Sequence, residues 1–300
     1  MNDAERRVWA RLPPGSREAL DGLSATDLQT LLLSLARTRS ARVRPADLMR
    51  RWREDRFVRP APTDPRALAA LEERLWRLLP SAVDGVELSP VVPLGTCAAV
   101  GPVSQNRIVT TMRSAEVVSD STNALAIEAA TRRLGQPADG VVHLAACHRQ
   151  LRAQQFGPGM GAHFRLFTLV SSARDTGSGA TQAQFLLLHL RFWQEVLATL
   201  LPSGGSRLHY TLFGDAVAQR FADTVLPEFA PSAVPVVEEP DRDRGRGYYA
   251  DVALRITAGD VELGDGGFTT WTGQLMGNAK ERCLVSCLST ERLATVIRSA

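Results

Sequence analysis

The sequence has 300 residues, 44% of them hydrophobic, and a formal net charge of +3. A chain of this length can bury a sizeable core, as one large domain or two smaller ones, and a charge so close to zero points to no particular partner. No apolar run reaches the ~18 residues that a membrane span needs, and none lies near the N-terminus, so we predict a cytoplasmic protein without a membrane span or a signal peptide.

The first part of the chain has the patterns of helices. Residues 26–39 (TDLQTLLLSLARTR) begin with a hydroxyl side chain and carry an apolar face, and Asp64 followed by proline is a typical helix start. A proline-rich connection precedes this second helix. We therefore predict an N-terminal helical segment over residues 1–80 and a separate unit over residues 81–300.

The N-terminal segment is also the basic part of the chain. Residues 1–60 carry 13 Arg against 8 Asp or Glu, whereas the rest of the sequence is slightly acidic. A basic segment of this kind can meet nucleic acid or an acidic protein. An arginine-rich helical surface that faces only water is the simpler interpretation.

Short β-rich runs appear after Leu88, with long helical segments between some of them. The runs are VVHLAACHRQLR (141–152), HFRLFTLV (163–170), RLHYTLF (207–213), YYADVALRI (248–256), DVEL (260–263) and CLVSCL (283–288). Strands and helices do not alternate regularly, and no strand–GxGxxG–helix unit occurs. The pattern predicts an α+β fold built on a mainly antiparallel sheet flanked by helices, not a doubly wound parallel sheet.

Residues 147–170, CHRQLRAQQFGPGMGAHFRLFTLV, predict a strand, a glycine-rich loop and a returning strand. This hairpin resembles motif 2 of the class II aminoacyl-tRNA synthetases. The resemblance places Arg152 on the arginine that contacts the ATP α-phosphate and Gln154 where the family usually has Glu. Phe167 falls in the segment that resembles the start of the returning strand. Arg152, Gln154 and Phe167 are thereby implied as ATP-binding residues, and a planar guanidinium suits phosphate oxygens.

The segment RGRGYYADV, which begins at Arg244, resembles the RGLDYYTG segment that lies beside the amino acid and the adenylate in histidyl-tRNA synthetases. Arg244 falls on the arginine that aids adenylation there. Tyr248 and Tyr249 fall on the tyrosine pair and are implied as substrate-binding residues. Gly247 replaces an Asp, and Leu254 stands where a carboxylate is usual. These two losses argue against histidine as the substrate.

Residues 262–293, ELGDGGFTTWTGQLMGNAKERCLVSCLSTERL, resemble the family's Gly-Gly-Gly-Arg-Tyr-Asp segment followed by motif 3. Gly266 and Gly267 match the glycine pair and are implied to line the amino acid site. Arg292 matches the motif 3 arginine that contacts the ATP γ-phosphate. Ser289 replaces the usual glycine before the Glu-Arg pair.

The three segments occur in the family's order and cover about residues 85–300. The resemblance implies a homodimeric core that binds ATP and Mg²⁺ and activates an amino acid or a related carboxylic acid as an acyl-adenylate. Arg152, Arg244 and Arg292 are the implied catalytic residues. The sequence ends eight residues after Arg292, where a histidyl-tRNA synthetase continues into an anticodon-binding domain. We therefore expect an acceptor other than a complete tRNA: a carrier protein, a metabolite, a protein side chain or a tRNA acceptor stem.

Two alternatives stay open. A non-catalytic regulatory paralogue that binds an amino acid, similar to the regulatory subunit of ATP phosphoribosyltransferase, is favoured by the altered residues Gln154, Gly247 and Ser289. Separately, the predicted ligand arginines can be interpreted as ordinary solvated or helix-capping side chains without a ligand. A zinc site is disfavoured, because His143 and Cys147 share a strand face without a suitably spaced further ligand, and the four cysteines show no CxxC spacing.

Overall fold

A computed structural model describes residues 2–157, 161–202, 204–229, 232–243 and 245–299. It begins with a series of helices: α1 (Asp3–Trp9), α2 (Ser16–Asp21), α3 (Ala25–Ser40) and α4 (Pro45–Glu54). Local chemistry explains their starts, since the side chains of Asn2 and Ser24 each accept a backbone N–H and Pro45 opens α4. None of the described residues in these four helices is buried. The predicted N-terminal helical segment is thereby confirmed.

The next helix, α5 (Pro65–Leu78), packs differently from the first four. Asp64 caps it by accepting the Arg66 N–H at 3.0 Å. Its inward face consists of leucines three and four residues apart: Leu68, Leu71 and Leu75. The Trp76 ring meets the Phe167 ring edge-on, with 4.8 Å between the centroids. This helix therefore packs against the sheet, and the division of the chain at residue 80 stays a prediction.

Eight strands of the described chain form one mixed sheet. They are β1 (Asp84–Gly85), β4 (Val141–Leu151), β5 (His163–Arg174), β6 (Ser206–Leu212), β7 (Val236–Glu238), β8 (Ala250–Ala258), β9 (Val261–Thr269) and β10 (Glu281–Ser289), in the order β1-β4-β5-β10-β9-β8-β6-β7. Each outermost strand pairs in parallel with its neighbour, β1 with β4 and β7 with β6. All inner pairs are antiparallel. A separate antiparallel pair joins β2 (Val91–Pro93) and β3 (Ala115–Val117). The predicted α+β class with a mainly antiparallel sheet is confirmed.

The remaining helices cover the two faces of the sheet. They are α6 (Thr96–Val100), α7 (Ser121–Leu134), α8 (Ala180–Leu200), α9 (Asp215–Arg220), α10 (Trp271–Met276) and α11 (Thr290–Ser299). One face packs against α5, α8 and α11 around the rings of Phe167, Phe185 and Trp193. The other face packs against α6, α7 and α10 through Leu125 and Trp271. No helix in the described ranges is both long enough and apolar enough to cross a membrane.

Candidate functional site

The β4–β5 hairpin places Arg152 at one end of the sheet. Antiparallel pairing ends at Leu151 with His163, so Arg152 is the first residue beyond β4. Its guanidinium lies over the Phe164 ring, 5.1 Å from the centroid. Nε donates to the Ser119 carbonyl oxygen at 2.8 Å. The arginine that the resemblance assigns to phosphate is therefore held on the face that carries α7.

Asp120 faces this guanidinium from the start of α7. One carboxylate oxygen accepts the Thr122 N–H at 3.0 Å and the Thr122 hydroxyl at 2.7 Å. The other oxygen lies 3.4 Å from Arg152 Nη2, and the two side chains keep exposed fractions of 23% and 29%. Sequence reasoning missed Asp120 as a site residue. The available signal was an acidic residue at the N-cap position, directly before the helical pattern.

Tyr248 and Tyr249 lie on the same side of the sheet. Their rings meet edge-on at 4.9 Å between centroids, and Tyr248 also meets the Trp271 ring at 5.7 Å. Burial raises the pKa of both hydroxyls well above the ordinary value, and the carboxylates of Asp120 and Asp265 raise the pKa further. Both hydroxyls are therefore neutral near pH 7 and able to donate a hydrogen bond. The predicted tyrosine pair is therefore near enough to Asp120 and Asp265 for their charges to act on the hydroxyls.

The two predicted glycines of β9 make room for neighbouring groups. A Cβ atom on Gly267 would stand 2.5 Å from Tyr249 Cγ, and one on Gly266 would stand 2.5 Å from the Val285 carbonyl oxygen. Both distances are far inside van der Waals contact. The Tyr249 ring therefore lies directly on the backbone of Gly267, while Gly266 allows close contact with β10.

Arg292 lies in the first turn of α11, directly after β10. The pairing of β10 with β5 extends to Ser289 opposite Leu166, so Arg292 and Arg152 stand at the same end of the sheet. The Arg292 side chain is exposed, and Nη1 donates to the Glu262 carbonyl oxygen at 2.9 Å. The segment that resembles motif 3 is thus a strand, β10, followed directly by a helix, α11.

Gln154 and Arg244 complete the predicted polar set. Gln154 lies in the loop that follows Arg152, and its backbone carbonyl accepts a hydrogen bond from Arg56 Nη1 at 2.7 Å. Arg244 lies outside the described residues, as do residues 158–160 of the glycine-rich loop. Their predicted contributions to the site stay predictions.

Phe167, which the resemblance implies in ATP binding, lies on the opposite face of the sheet. Its fully buried ring is 4.8 Å from the Trp76 centroid and 5.7 Å from that of Phe192. Residues three places apart on a strand point to opposite faces, which puts Phe164 on the side of Arg152 and Phe167 in the core. Phe164 is the aromatic residue at the site that sequence reasoning missed.

A buried carboxylate stabilises the loop that precedes α7 through hydrogen bonds. Glu116, in β3, accepts the N–H groups of Gly95 at 2.8 Å and Cys97 at 2.9 Å, and the Gln105 amide at 2.9 Å. Burial alone would raise the pKa of Glu116, but these hydrogen bonds hold it below the ordinary value. Cys97 Sγ lies 2.9 Å from Ser119 Oγ. The stabilised loop thus fixes the position of Ser119, whose carbonyl oxygen accepts the hydrogen bond from Arg152.

The described residues contain no group of three His, Cys, Asp or Glu side chains that would hold a metal ion. Magnesium that arrives with a nucleotide takes most of its ligands from phosphate and water, and needs only one or two carboxylates. The finding for the described residues therefore concerns only a metal held by protein side chains alone.

No known protein-family profile and no curated protein match this sequence. Solved structures do match its fold. The chain aligns with an apo histidyl-tRNA synthetase from S. aureus at 16% identity and a TM-score of 0.56, over 78% of this chain and 65% of that one. An ATP phosphoribosyltransferase regulatory subunit/histidyl-tRNA synthetase from Bacillus halodurans aligns at 11% identity and a TM-score of 0.59, over 80% and 84% of the two chains.

A pyrrolysyl-tRNA synthetase from Desulfitobacterium hafniense aligns at 14% identity and a TM-score of 0.52, over 85% of this chain and 75% of that one. All three have class II aminoacyl-tRNA synthetase-like cores, which confirms the resemblance stated from the sequence. Identities this low show the fold alone. The chain spans 65% of the length of the S. aureus protein.

Proposed function

We propose that this chain, which has the fold of a class II aminoacyl-tRNA synthetase core, binds ATP and an amino acid or related carboxylic acid and joins them as an acyl-adenylate. The Arg152–Asp120 pair beside Tyr248 supports this proposal most directly. The pair provides a cation and an anion that are both partly exposed, and the neutral Tyr248 hydroxyl is near enough for the Asp120 charge to act on it. A zwitterionic amino acid and a phosphate group require this combination of partners.

Asp120 would receive the ammonium group of the amino acid. Its contact with Arg152 is 3.4 Å long, beyond the 2.7–2.9 Å or so of a strong charge-assisted hydrogen bond. A ligand that brings a cation to Asp120 and an anion to Arg152 can therefore replace a weak internal contact with two better ones. Tyr248, Tyr249, Gly266 and Gly267 would line the remainder of the amino acid site.

Arg152 would hold the α-phosphate of ATP during the reaction. A carboxylate oxygen of the substrate attacks the α-phosphorus and forms the new O–P bond, while the bond to the bridging oxygen breaks and pyrophosphate leaves. Little covalent help is needed, because correct positioning and a cation at the phosphate oxygens supply most of the acceleration. Arg292, at the same end of the sheet, would hold the γ-phosphate, and Arg244 would assist at the reacting centre.

The wider features of the proposal come from the resemblance. ATP would enter with Mg²⁺, which neutralises phosphate charge, and Gln154 would contact the nucleotide through its side chain. The acyl group would pass to a carrier protein, a metabolite, a protein side chain or a tRNA acceptor stem. A homodimer in the cytoplasm would carry out the reaction.

A regulatory protein that binds an amino acid without using ATP is the second candidate. One observation favours it: Nε and Nη2 of Arg152 are both directed at groups of the same chain, Ser119 and Asp120. An arginine held in this way can serve as a support for an amino acid site. The ATP requirement separates the two candidates.

Amino-acid-dependent exchange of pyrophosphate into ATP tests the proposed function. The purified protein is assayed with each common amino acid, beside the variants Arg152→Ala and Arg66→Ala. We expect exchange with one amino acid and a loss of about 100-fold or more in Arg152→Ala, because a preorganised cation at the reacting phosphate is removed. Arg66 is exposed at the start of α5, so Arg66→Ala should retain full activity.

Binding measurements distinguish the other outcomes. An amino acid that binds without exchange, in a preparation that does not bind ATP, would assign the chain to the regulatory class. Exchange that survives unchanged in Arg152→Ala would remove Arg152 from the reaction. A preparation that binds neither ATP nor any amino acid would reject both candidates.

A further inference from the structure

A short segment that follows α4 crosses the loop of the β4–β5 hairpin. This segment, residues 55–59, contacts the loop at both of its ends. Arg56 donates hydrogen bonds to the carbonyl oxygens of Ala153 and Gln154, and the Arg59 carbonyl lies 2.6 Å from His163 Nε2. About one hundred residues of sequence separate these partners, so the contacts are a property of the tertiary fold.

The Arg56 side chain is well suited to hold a backbone. Its two terminal nitrogens reach two successive carbonyl oxygens, with 2.7 Å between Nη1 and the Gln154 oxygen. The guanidinium lies over the ring of its neighbour Phe57, 4.3 Å from the centroid, and the Arg56 side chain is half-buried. A planar guanidinium that is stacked and donates twice loses few additional conformations when it binds. The contact therefore constrains the peptide that directly follows Arg152.

The same stretch of the loop is held from its other side. The Ala153 N–H donates to the Arg107 carbonyl oxygen at 2.8 Å. Ala153 is thus bound through its carbonyl by the N-terminal segment and through its N–H by the loop that precedes α7. The backbone after Arg152 has its direction fixed by both contacts.

His163 anchors the returning end of the loop. Its Nε2 faces the Arg59 carbonyl, which only accepts, and its Nδ1 lies 2.8 Å from Arg149 Nη1, which only donates. The tautomer that carries its hydrogen on Nε2 satisfies both contacts. Arg149 is itself paired with Glu291 of α11 at 2.7 Å. The N-terminal segment is in this way linked through His163 and Arg149 to the helix that carries Arg292.

We propose that Arg56 is a positioning residue for nucleotide binding. Through Arg56, the N-terminal helical segment contributes to the ATP site. The inference rests on the proposed function. Arg56 does not contact the ligand in this scheme. It holds the Ala153–Gln154 backbone so that Arg152 and the Gln154 side chain meet the nucleotide without first having to order the loop.

Two measurements on four full-length proteins test this role. The proteins are the unmutated chain, Arg56→Ala, Arg56→Lys and the control Arg51→Ala, which removes an exposed arginine of α4. Equilibrium titration gives the dissociation constants for ATP and for the amino acid identified by exchange. Hydrogen exchange of the amides at residues 153–157, in the absence of ligand, reports how firmly the loop is held.

We expect Arg56→Ala to raise the dissociation constant for ATP about tenfold, as for the loss of hydrogen bonds from a charged donor, and to leave that for the amino acid unchanged. Loop amides should exchange faster in the same variant. Arg56→Lys should recover part of the affinity, because an ammonium group lacks the planar two-nitrogen fork that reaches both carbonyls. Arg51→Ala should match the unmutated chain in both measurements.

Three results would overturn the role of Arg56. The first is an ATP affinity of Arg56→Ala equal to that of Arg51→Ala. The second is an equal loss of affinity for ATP and amino acid, which indicates general damage to the fold. The third is unchanged exchange of the loop amides. Failure of the unmutated chain to bind ATP would instead reject the proposed function and the nucleotide role with it, so the two failures are distinguishable.

Discussion

At the scale of single residues, the core contains a directed chain of hydrogen bonds centred on His189. Trp193 Nε1 donates to Ser286 Oγ at 2.8 Å, and that hydroxyl lies 2.8 Å from His189 Nδ1. His189 Nε2 lies 2.9 Å from Ser171 Oγ, which in turn is 2.6 Å from His143 Nδ1. The Ser286 hydroxyl then donates to His189 Nδ1, His189 Nε2 donates to Ser171 Oγ, and the Ser171 hydroxyl donates to His143 Nδ1. In this arrangement His189 is neutral with its hydrogen on Nε2. Burial lowers its pKa to about 3.

This histidine makes the stability of the fold depend on pH. Unfolding exposes an imidazole with a pKa of about 6.5. Below that pH the unfolded state binds a proton that the folded state does not bind. Stability is therefore fully present above about pH 6.5 and is lost as the pH falls. We expect His189 to remove about 2 kcal/mol from the free energy of unfolding between pH 8 and pH 5. Urea unfolding at the two pH values measures it.

A His189→Gln variant isolates this contribution from those of other histidines. Its stability at pH 8 will be lower, because a buried network is disturbed. The loss between pH 8 and pH 5 should nevertheless be smaller than in the unmutated chain by about 2 kcal/mol. Equal losses in the two proteins would show that His189 does not resist protonation.

At the scale of secondary-structure elements, a buried ion pair joins α7 to β10. Arg133 and Glu281 side chains are each 2% exposed, with 3.2 Å between Nη2 and Oε1 and 3.3 Å between Nε and Oε2. Arg133 also donates to the carbonyl oxygens of Pro137 and Ala138. The pair fixes the C-terminal end of the helix whose N-cap residue, Asp120, lies at the site.

Removal of one partner should leave a buried charge without compensation. We expect Arg133→Met to lower the free energy of unfolding by about 3–5 kcal/mol, and the double variant Arg133→Met/Glu281→Leu to recover much of the loss. Arg132→Ala is the matched control, because the ion pairs of Arg132 are partly exposed and should contribute less than about 1 kcal/mol. Urea unfolding measures all three. A double variant no more stable than Arg133→Met would contradict this explanation.

At the scale of the whole molecule, the N-terminal helices and the sheet differ in how much they bury. The described residues of α1 to α4 are all at least partly exposed, and Leu48, Met49 and Trp52 of α4 have exposed fractions of 53%, 63% and 56%. The strands β4, β5 and β10 and the helix α7 are largely buried. The free energy needed to open a segment locally is larger where the segment buries more apolar surface.

We expect amides in α1 to α4 to exchange with solvent much faster than amides in β5 and α7, because opening these helices exposes little apolar surface. Hydrogen exchange followed by mass spectrometry measures both groups in one experiment. Slow exchange in α4 would contradict the expectation and would indicate that its apolar side chains are covered, as by a second copy in the predicted homodimer. Sedimentation of the same preparation would then decide between a dimer and an internal contact.

Local patterns were enough to predict much of the fold. The hydroxyl and proline starts of the N-terminal helices and the run of short β segments predicted an α+β fold, and the resemblance of the three motifs implied the class II synthetase type. Arg152 directly follows β4, and Arg292 follows β10 at the same end of the sheet. Their predicted roles are still to be tested. These features depend on hydrogen bonds and side-chain periodicity within a few residues, which the order of amino acids determines directly.

Other features were decided only when distant segments packed together. Phe167 lies in the core and Phe164 at the site because a strand alternates its faces, and the sequence does not state which face meets α8. Asp120 reaches Arg152, and Arg56 reaches Ala153 and Gln154, across many residues of chain. Local periodicity does not indicate such contacts, because the contact partners depend on how the helices pack against the sheet. The sequence by itself thus determined the elements and the class of fold, while the tertiary structure decided which side chains share the site.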